Sequence, residues 1–326
     1  MTFRLGESSS ALCGGTIRFN PNLPPILKTI HLLRPGAFLV ASLLTGTHLQ
    51  AATILELSPS VWLNAGSITG VANGAPVPTW TDSSGNSRNA TQATVSRQPL
   101  FFDSAGANGS PVLRFNTQLH SGGTVANQFM AFPTPLANNA NSILTLFAVA
   151  SDSGARTTGA RAILVNTRTN ATTSNGFLFG YGTTSSVEAY AHTGSTSGAG
   201  SVQMAPIAAS GFELLALERT GLNSRIFNYS DTATNTSSTT WTAFNPSTLT
   251  TTQIGTEGGA HYFFGDIAEI IAFERTLTAS ESDQVVKYLG DKYLIATASA
   301  VPEPSVMAFL AGGALILGSR RPRRSR

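Results

Sequence analysis

The sequence predicts an all-β fold of two stacked antiparallel sheets, with one helix near the end of the domain. Three observations carry this expectation. Only 11% of the 326 residues are charged and 41% are hydrophobic, whereas globular chains usually carry about 25% charged residues. Short apolar runs recur between gaps crowded with Gly, Ser, Asn and Thr, such as Thr193-Gly-Ser-Thr-Ser-Gly-Ala-Gly200. No stretch of helical period separates these runs, and strands without intervening helices pack sheet on sheet. The same composition excludes a coiled coil or helical repeat. It also excludes an acidic disordered chain, since the apolar fraction can build a core.

The strands can be placed one by one. Val187-Glu-Ala-Tyr-Ala-His192 alternates, with Val187, Ala189 and Ala191 on one face and Glu188, Tyr190 and His192 on the other. Ile143-Leu-Thr-Leu-Phe-Ala-Val149, Arg161-Ala-Ile-Leu-Val165, Phe177-Leu-Phe179 and Phe212-Glu-Leu-Leu-Ala-Leu217 read as apolar on both faces and hence as central strands. Val112-Leu-Arg-Phe115 and Arg225-Ile-Phe-Asn-Tyr229 are shorter candidates. The Ser/Thr runs at 231–240 and 247–252 read as loops or edge strands, with O-glycosylation as a further possibility. Thr278-Ala-Ser-Glu281 has the form of a capping box, in which Thr278 caps the first turn and Glu281 reaches back to it. Val285, Leu289 and Tyr293 follow at a spacing of four, beside Val286, and give a stripe that packs on the sandwich.

The formal charge of +3 belongs to the ends of the chain. Between Ala52 and Ala300 there are eleven basic residues against fifteen acidic ones. No basic stripe interleaved with aromatics occurs there, so nucleic acid is not an expected partner. The single cysteine, Cys13, precedes the domain and leaves it without a disulfide, a thiolate nucleophile or a cysteine-based zinc site.

Both termini read as addresses. A basic stretch at 28–34 leads into Pro35-Gly-Ala-Phe-Leu-Val-Ala-Ser-Leu-Leu-Thr-Gly-Thr47, and Leu49-Gln50-Ala51-Ala52 closes it with small residues suited to signal peptidase. Residues 1–52 are thus expected to be a secretory signal with an extended leading region, its translation start lying further in. At the other end, Val301-Pro302-Glu303-Pro304-Ser305 precedes an apolar run at 306–318, and Arg320, Arg321, Arg323, Arg324 and Arg326 close the chain. That run is shorter than the roughly 20 residues of a full bilayer span, and the arginines hold the tail on the cytoplasmic side. Motif, short apolar helix and arginine block, in this order, resemble the PEP-CTERM sorting signal over residues 299–326. The resemblance implies recognition at Val301, Pro302, Glu303 and Pro304 by an exosortase and retention by the arginines. It also implies transient inner-membrane anchoring, then removal of the tail and release to the cell surface or extracellular matrix.

Residues 53–298 carry a second resemblance. Ser60-Val-Trp-Leu-Asn-Ala-Gly66 opens the domain, followed by Trp80-Thr-Asp82-Ser-Ser84-Gly85-Asn86, Gln98-Pro99 and Pro111-Val-Leu-Arg-Phe115; Gly265-Asp-Ile-Ala-Glu269 through Leu277 and the helix close it. This order is similar to bacterial LamG-type domains of the concanavalin A-like lectin/glucanase superfamily. The resemblance implies a two-sheet jelly roll.

Because that superfamily includes glucanases, the carboxylates matter. Its usual catalytic strand carries Glu-x-Asp-x-(x)-Glu. The nearest match is Asp266-Ile-Ala-Glu269-Ile-Ile-Ala-Phe-Glu274, with Ile271 where the middle acid would stand. Spacings of three and five send neighbouring acids to opposite faces of a regular strand. Asp266 and Glu274 share a face but lie about 26 Å apart at roughly 3.3 Å per residue, beyond the about 5–10 Å that glycosidase carboxyls require. His120, His192 and His261 have no metal spacing, and neither a nucleophile elbow, a P-loop nor a dinucleotide fingerprint occurs. Asp82 and Asn86 form a weak calcium candidate on a Gly turn, set against an Asx-type turn that satisfies its own backbone. Trp80, beside them, reads as core or, if exposed, as a platform for a sugar ring.

The resulting expectation is an exported, non-enzymatic surface or matrix protein with a lectin-like domain that binds extracellular polysaccharide, using Trp80, Asp82 and Asn86 as candidate ligand contacts, with no cofactor other than a weakly indicated calcium. The alternatives are a glycoside hydrolase or lyase of the same fold, and a structural adhesin or spacer whose partner is protein.

Overall fold

The computed structural model describes residues 54–116, 127–136, 143–153, 162–167, 176–182, 186–192, 201–206, 211–220, 223–230, 235–240, 250–257 and 261–297. The segments expected to be a secretory signal and a sorting tail, and His120, lie outside the described residues. The strands are β1 (Val61–Asn64), β2 (Thr79–Trp80), β3 (Ala90–Thr91), β4 (Leu100–Phe102), β5 (Val112–Phe115), β6 (Met130–Phe132), β7 (Leu144–Asp152) and β8 (Ala162–Asn166). They continue with β9 (Gly176–Tyr181), β10 (Ser186–His192), β11 (Ser201–Pro206), β12 (Glu213–Thr220), β13 (Asn223–Asn228), β14 (Asn235–Thr240), β15 (Thr252–Ile254) and β16 (Gly265–Phe273). One helix, α1 (Ala279–Tyr293), follows.

These strands make two antiparallel sheets. The first runs β14-β13-β12-β7-β16-β5-β4, with β1 also paired to β16; the second runs β11-β10-β9-β8-β15-β6-β3-β2. The larger apolar core lies between them. It takes Leu144, Leu146, Ala148 and Ala150 from β7 and Leu215 and Leu217 from β12, and opposes them to Phe177, Phe179 and Tyr181 of β9 and Val187 and Ala189 of β10. The fold is therefore a β-sandwich with alternate residues turned inward.

The outer face of a sandwich sheet is usually polar. Here Phe147, Val149, Leu214, Ala216, Ala268, Ile271 and Phe273 on the outer face of the first sheet form a second core with Val285, Val286, Tyr288, Leu289 and Tyr293 of α1. The helix accounts for β7 and β12, two of the strands that read as apolar on both sides. Its start is the expected capping box: Glu281 N donates to Thr278 Oγ1 at 3.2 Å, and Thr278 N donates to Glu281 Oε2 at 2.8 Å. The run at 231–240 contributes an edge strand, β14, paired to β13.

Two irregularities position the polar residues discussed next. A bulge in β16 between Ile267 and Glu269 inserts a residue against β7. Where β16 begins beside Asp152, Gly265 lies so close to β7 that a Cβ would run into the Ser151 carbonyl.

Candidate functional site

The structure places Trp80, Asp82 and Asn86 together but uses them internally. Trp80 is fully buried in the core, so it offers no ring face to a sugar. Asp82 is buried, and its carboxylate accepts four protein donors. Trp62 N and Ser84 N reach Oδ1 at 2.9 Å each, and Ser84 Oγ and Arg88 N reach Oδ2 at 2.8 and 2.9 Å. Asn86 donates its amide to Pro59 O at 2.9 Å and Ser60 O at 3.2 Å. Gly85, at φ 89°, supplies the left-handed step of this turn. The constellation is the Asx-type alternative: it ties the 82–88 turn to β1, and the carboxylate on which calcium would depend is already saturated. Trp80 is thus corrected from a possible sugar platform to a core residue, while Asp82 and Asn86 serve the turn. Among the described residues no group of three or more His, Cys, Asp or Glu side chains could hold a metal ion.

The acids of β16 are also engaged. The bulge corrects the parity expected from spacing, because Asp266 and Glu269 both turn to the outer face of the sheet. Asp266 is held by Arg114 in a two-point pair, Nε to Oδ1 at 2.7 Å and Nη2 to Oδ2 at 2.8 Å. Its hydrogen bond raises the Arg114 pKa against the opposing effect of burial. Glu269 is buried under α1. Its Oε1 accepts from Trp62 Nε1 at 2.5 Å and Tyr288 Oη at 3.1 Å, and its Oε2 accepts from Tyr293 Oη at 2.7 Å and Lys292 Nζ at 2.5 Å. Burial, followed by the adjacent carboxylate, raises both phenols well above the ordinary tyrosine range. Glu274 pairs with Arg88 at 3.0 Å. Glu269 is a fastening for the helix, and none of these acids is aimed at substrate.

A different pair of carboxylates lies on adjacent strands. Glu213 opens β12 at the parity of Leu215 and Leu217, and Asp152 closes β7 at the parity of Ala148 and Ala150. Both therefore point to the inner side of the first sheet, at one end of the sandwich. The register pairs Glu213 with Ala150, which makes Asp152 its diagonal neighbour. Such neighbours stand about 7 Å apart at Cβ, a spacing from which two carboxylate side chains can reach the same space. Both residues are half-buried, so solvent reaches this end.

Glu213 differs electrostatically from an exposed acid. Burial pushes its carboxyl up to about 7; hydrogen bonds from Asn228 and Tyr181 pull the other way, and the Asp152 charge adds to the rise. Asn228 Nδ2 donates to Glu213 Oε1 at 2.9 Å. Tyr181, fully buried, comes from the opposite sheet and lies within hydrogen-bond reach of Ala150 O, at 3.4 Å. An acid that holds its proton near neutrality beside a second carboxyl is the combination required for general acid catalysis.

Sequence reasoning passed over this pair. Phe212–Leu217 reads as an apolar strand, and Glu213 is its one charged member. The available signal was parity: an acid in phase with Leu215 and Leu217 must face inward. Asp152 lies beyond the expected end of its strand, and only the register brings the two together. His261 Nε2 stands 3.8 Å from Glu257, and His192 lies on β10.

No family model matches the sequence, and no curated protein matches it. Among solved structures, the chain is similar to a Trypanosoma rangeli sialidase at TM-score 0.40 and 16% identity, over 73% of this chain and 33% of that one. It is similar to the same sialidase in complex with the inhibitor DANA at TM-score 0.41 and 14% identity, over 79% of this chain and 40% of that one. It is also similar to the CBM40 of the Ruminococcus gnavus IT-sialidase bound to alpha2,3 sialyllactose, at TM-score 0.35 and 10% identity, over 45% of this chain and 82% of that one. The chain spans about a third of the length of the first sialidase. The expectation of a chain without catalytic activity does not stand beside these findings, in which solved sialidases come first. Likeness at these TM-scores assigns neither a substrate nor a site residue.

Proposed function

We propose that this chain is an exported carbohydrate-active protein whose sandwich, of concanavalin A-like jelly-roll type, engages extracellular polysaccharide and cleaves a glycosidic bond. Glu213 serves as the general acid and Asp152 as the second carboxyl. The observation that carries the reading is the raised carboxyl of Glu213 next to Asp152 at the solvent-reached end of the sandwich. In such a site Glu213 gives its proton to the leaving oxygen while Asp152 stabilises or attacks the sugar carbon, directly or through water. The test is reducing-sugar release from a panel of soluble polysaccharides, β-glucan included, by the full chain. Glu213→Gln should lower the turnover number by about 100-fold or more. Absence of release from every polysaccharide would refute the hydrolytic reading; retained binding would support carbohydrate recognition.

The two ends support delivery. Residues 1–52 take the chain out, and the Val301–Pro304 motif, with the apolar run and arginine block behind it, addresses it to an exosortase. Intact-mass measurement of the surface-exposed protein should find the chain ending near the motif. Retention of Arg320–Arg326 in the mature protein would contradict sorting.

A further inference from the structure

The orientation of the Asn228 amide is fixed from behind. Its Oδ1 accepts the Ser230 N–H at 3.0 Å, so its Nδ2 must be the atom that meets Glu213 Oε1, at 2.9 Å. The amide cannot rotate by half a turn without setting an oxygen against a carboxyl oxygen and an NH2 against an N–H. Ser230 is held in turn, since its Oγ accepts the Leu214 N–H at 2.5 Å, next to Glu213 itself. The ladder bond from Tyr229 N to Leu214 O, at 2.9 Å, closes the same small frame. Asn228 is 4% exposed, so water does not compete for its amide.

We propose that Asn228 is the positioning residue for Glu213: oriented by Ser230, it holds Oε1 and thereby sets both the direction of the carboxyl and the pH at which it releases its proton. This inference rests on Glu213 being the acid of the site. The titratable groups facing Glu213 are Asp152 from β7 and Tyr181 from β9, the first opposing ionisation and the second favouring it. Asn228 acts with Tyr181: a fixed donor stabilises the ionised form, so Glu213 releases its proton at a lower pH than burial and Asp152 alone would set.

The test does not depend on activity. The 13C-carboxyl signal of Glu213 is titrated in the full chain and assigned by its loss in E213Q. Asn228→Leu removes the donor at similar volume. Asn228→Asp keeps the acceptor for Ser230 N–H and replaces the donor by a like charge. Either variant should raise the Glu213 midpoint by about one pH unit or more, the usual effect of a hydrogen bond to an ionised group. The descending, alkaline limb of any pH–rate profile should move with it. Two variants guard against one that fails to fold. An unchanged midpoint in a folded variant would overturn the proposal. A shifted midpoint in a chain that releases no sugar would uphold it and would count only against the hydrolytic reading.

Discussion

Trp62 Nε1 donates to Glu269 Oε1 at 2.5 Å, across 207 positions of sequence. The indole also meets the Tyr288 ring edge-on, with centroids 6.0 Å apart. The first strand of the sandwich, the bulged strand β16 and the terminal helix thus meet at one buried carboxylate. Removing that carboxylate takes the acceptor from Trp62, Tyr288 and Tyr293 and leaves Lys292 with Tyr288 Oη alone. Glu269→Ala should therefore destabilise the domain by about 3–5 kcal/mol, the usual cost of breaking a buried charged network. Trp62→Phe, which removes one donor, should cost about 1–2 kcal/mol. Urea unfolding of the single and double variants measures both, and the two effects should be non-additive. A Glu269→Ala protein within 1 kcal/mol of the parent would show that the carboxylate does not fasten the helix.

The capping box at the start of α1 gives a separate expectation, because it is exposed. Thr278→Ala should cost about 1 kcal/mol, as the loss of an N-cap side chain does. Hydrogen bonding from Arg275, then from the Thr278 backbone, lowers the Glu281 pKa from 4.5 to about 2. A lowered carboxyl gives stability that is present above pH 4.5 and is lost as pH falls toward 2. Helix content followed by circular dichroism between pH 6 and pH 2 should fall in the parent and be less acid-sensitive in Glu281→Gln. Equal acid sensitivity in the two proteins would count against this role.

The elements legible in advance are those whose signal is local. The capping box needs only Thr278 and Glu281, and alternation in β10 needs only its own residues. The apolar character of β7 and β12 was visible for the same reason. What escaped depends on pairs far apart in the chain. The bulge in β16 reverses the parity of Asp266 and Glu269, and nothing at 266–269 announces it, since it exists only against β7. Trp80 and Asp82 were open to both readings because burial is set by β1, which closes over the turn. The Glu213–Asp152 pair is a property of register, and an acid hidden in an apolar strand is easily read as strand alone. The second core under α1 explains why β7 and β12 are apolar on both faces, a property first ascribed to a central place in the sandwich alone.

Saturation of Asp82 makes a prediction about both stability and metal. Asp82→Ala strands the Trp62 and Arg88 backbone donors that end on it. The expected loss is about 2–4 kcal/mol, from two buried donors left unsatisfied. Calcium and a chelator should leave the melting temperature of the parent unchanged. A calcium-dependent rise of several degrees would mean that the turn opens to hold the ion.

Glu213 gives the pH dependence with the opposite sign. Its folded pKa is raised from 4.5 to about 7, mainly by burial. Between these values the folded state binds more protons at this position than the unfolded state does. Its contribution is therefore fully present below pH 4.5 and is lost as pH rises through 7. The shift corresponds to about 2–3 kcal/mol once the partial exposure of the group is allowed for. Any other titrating group contributes alike to both proteins, so the informative quantity is the difference between Glu213→Gln and the parent. The variant should match the parent near pH 4.5 and gain on it steadily to about pH 8, where it is the more stable protein even as it loses any proton donor. Unfolding free energies at five or six pH values measure this difference. A difference that stays flat from pH 4.5 to 8 would mean that Glu213 titrates like an ordinary surface acid, and the argument for it as a general acid would go with it.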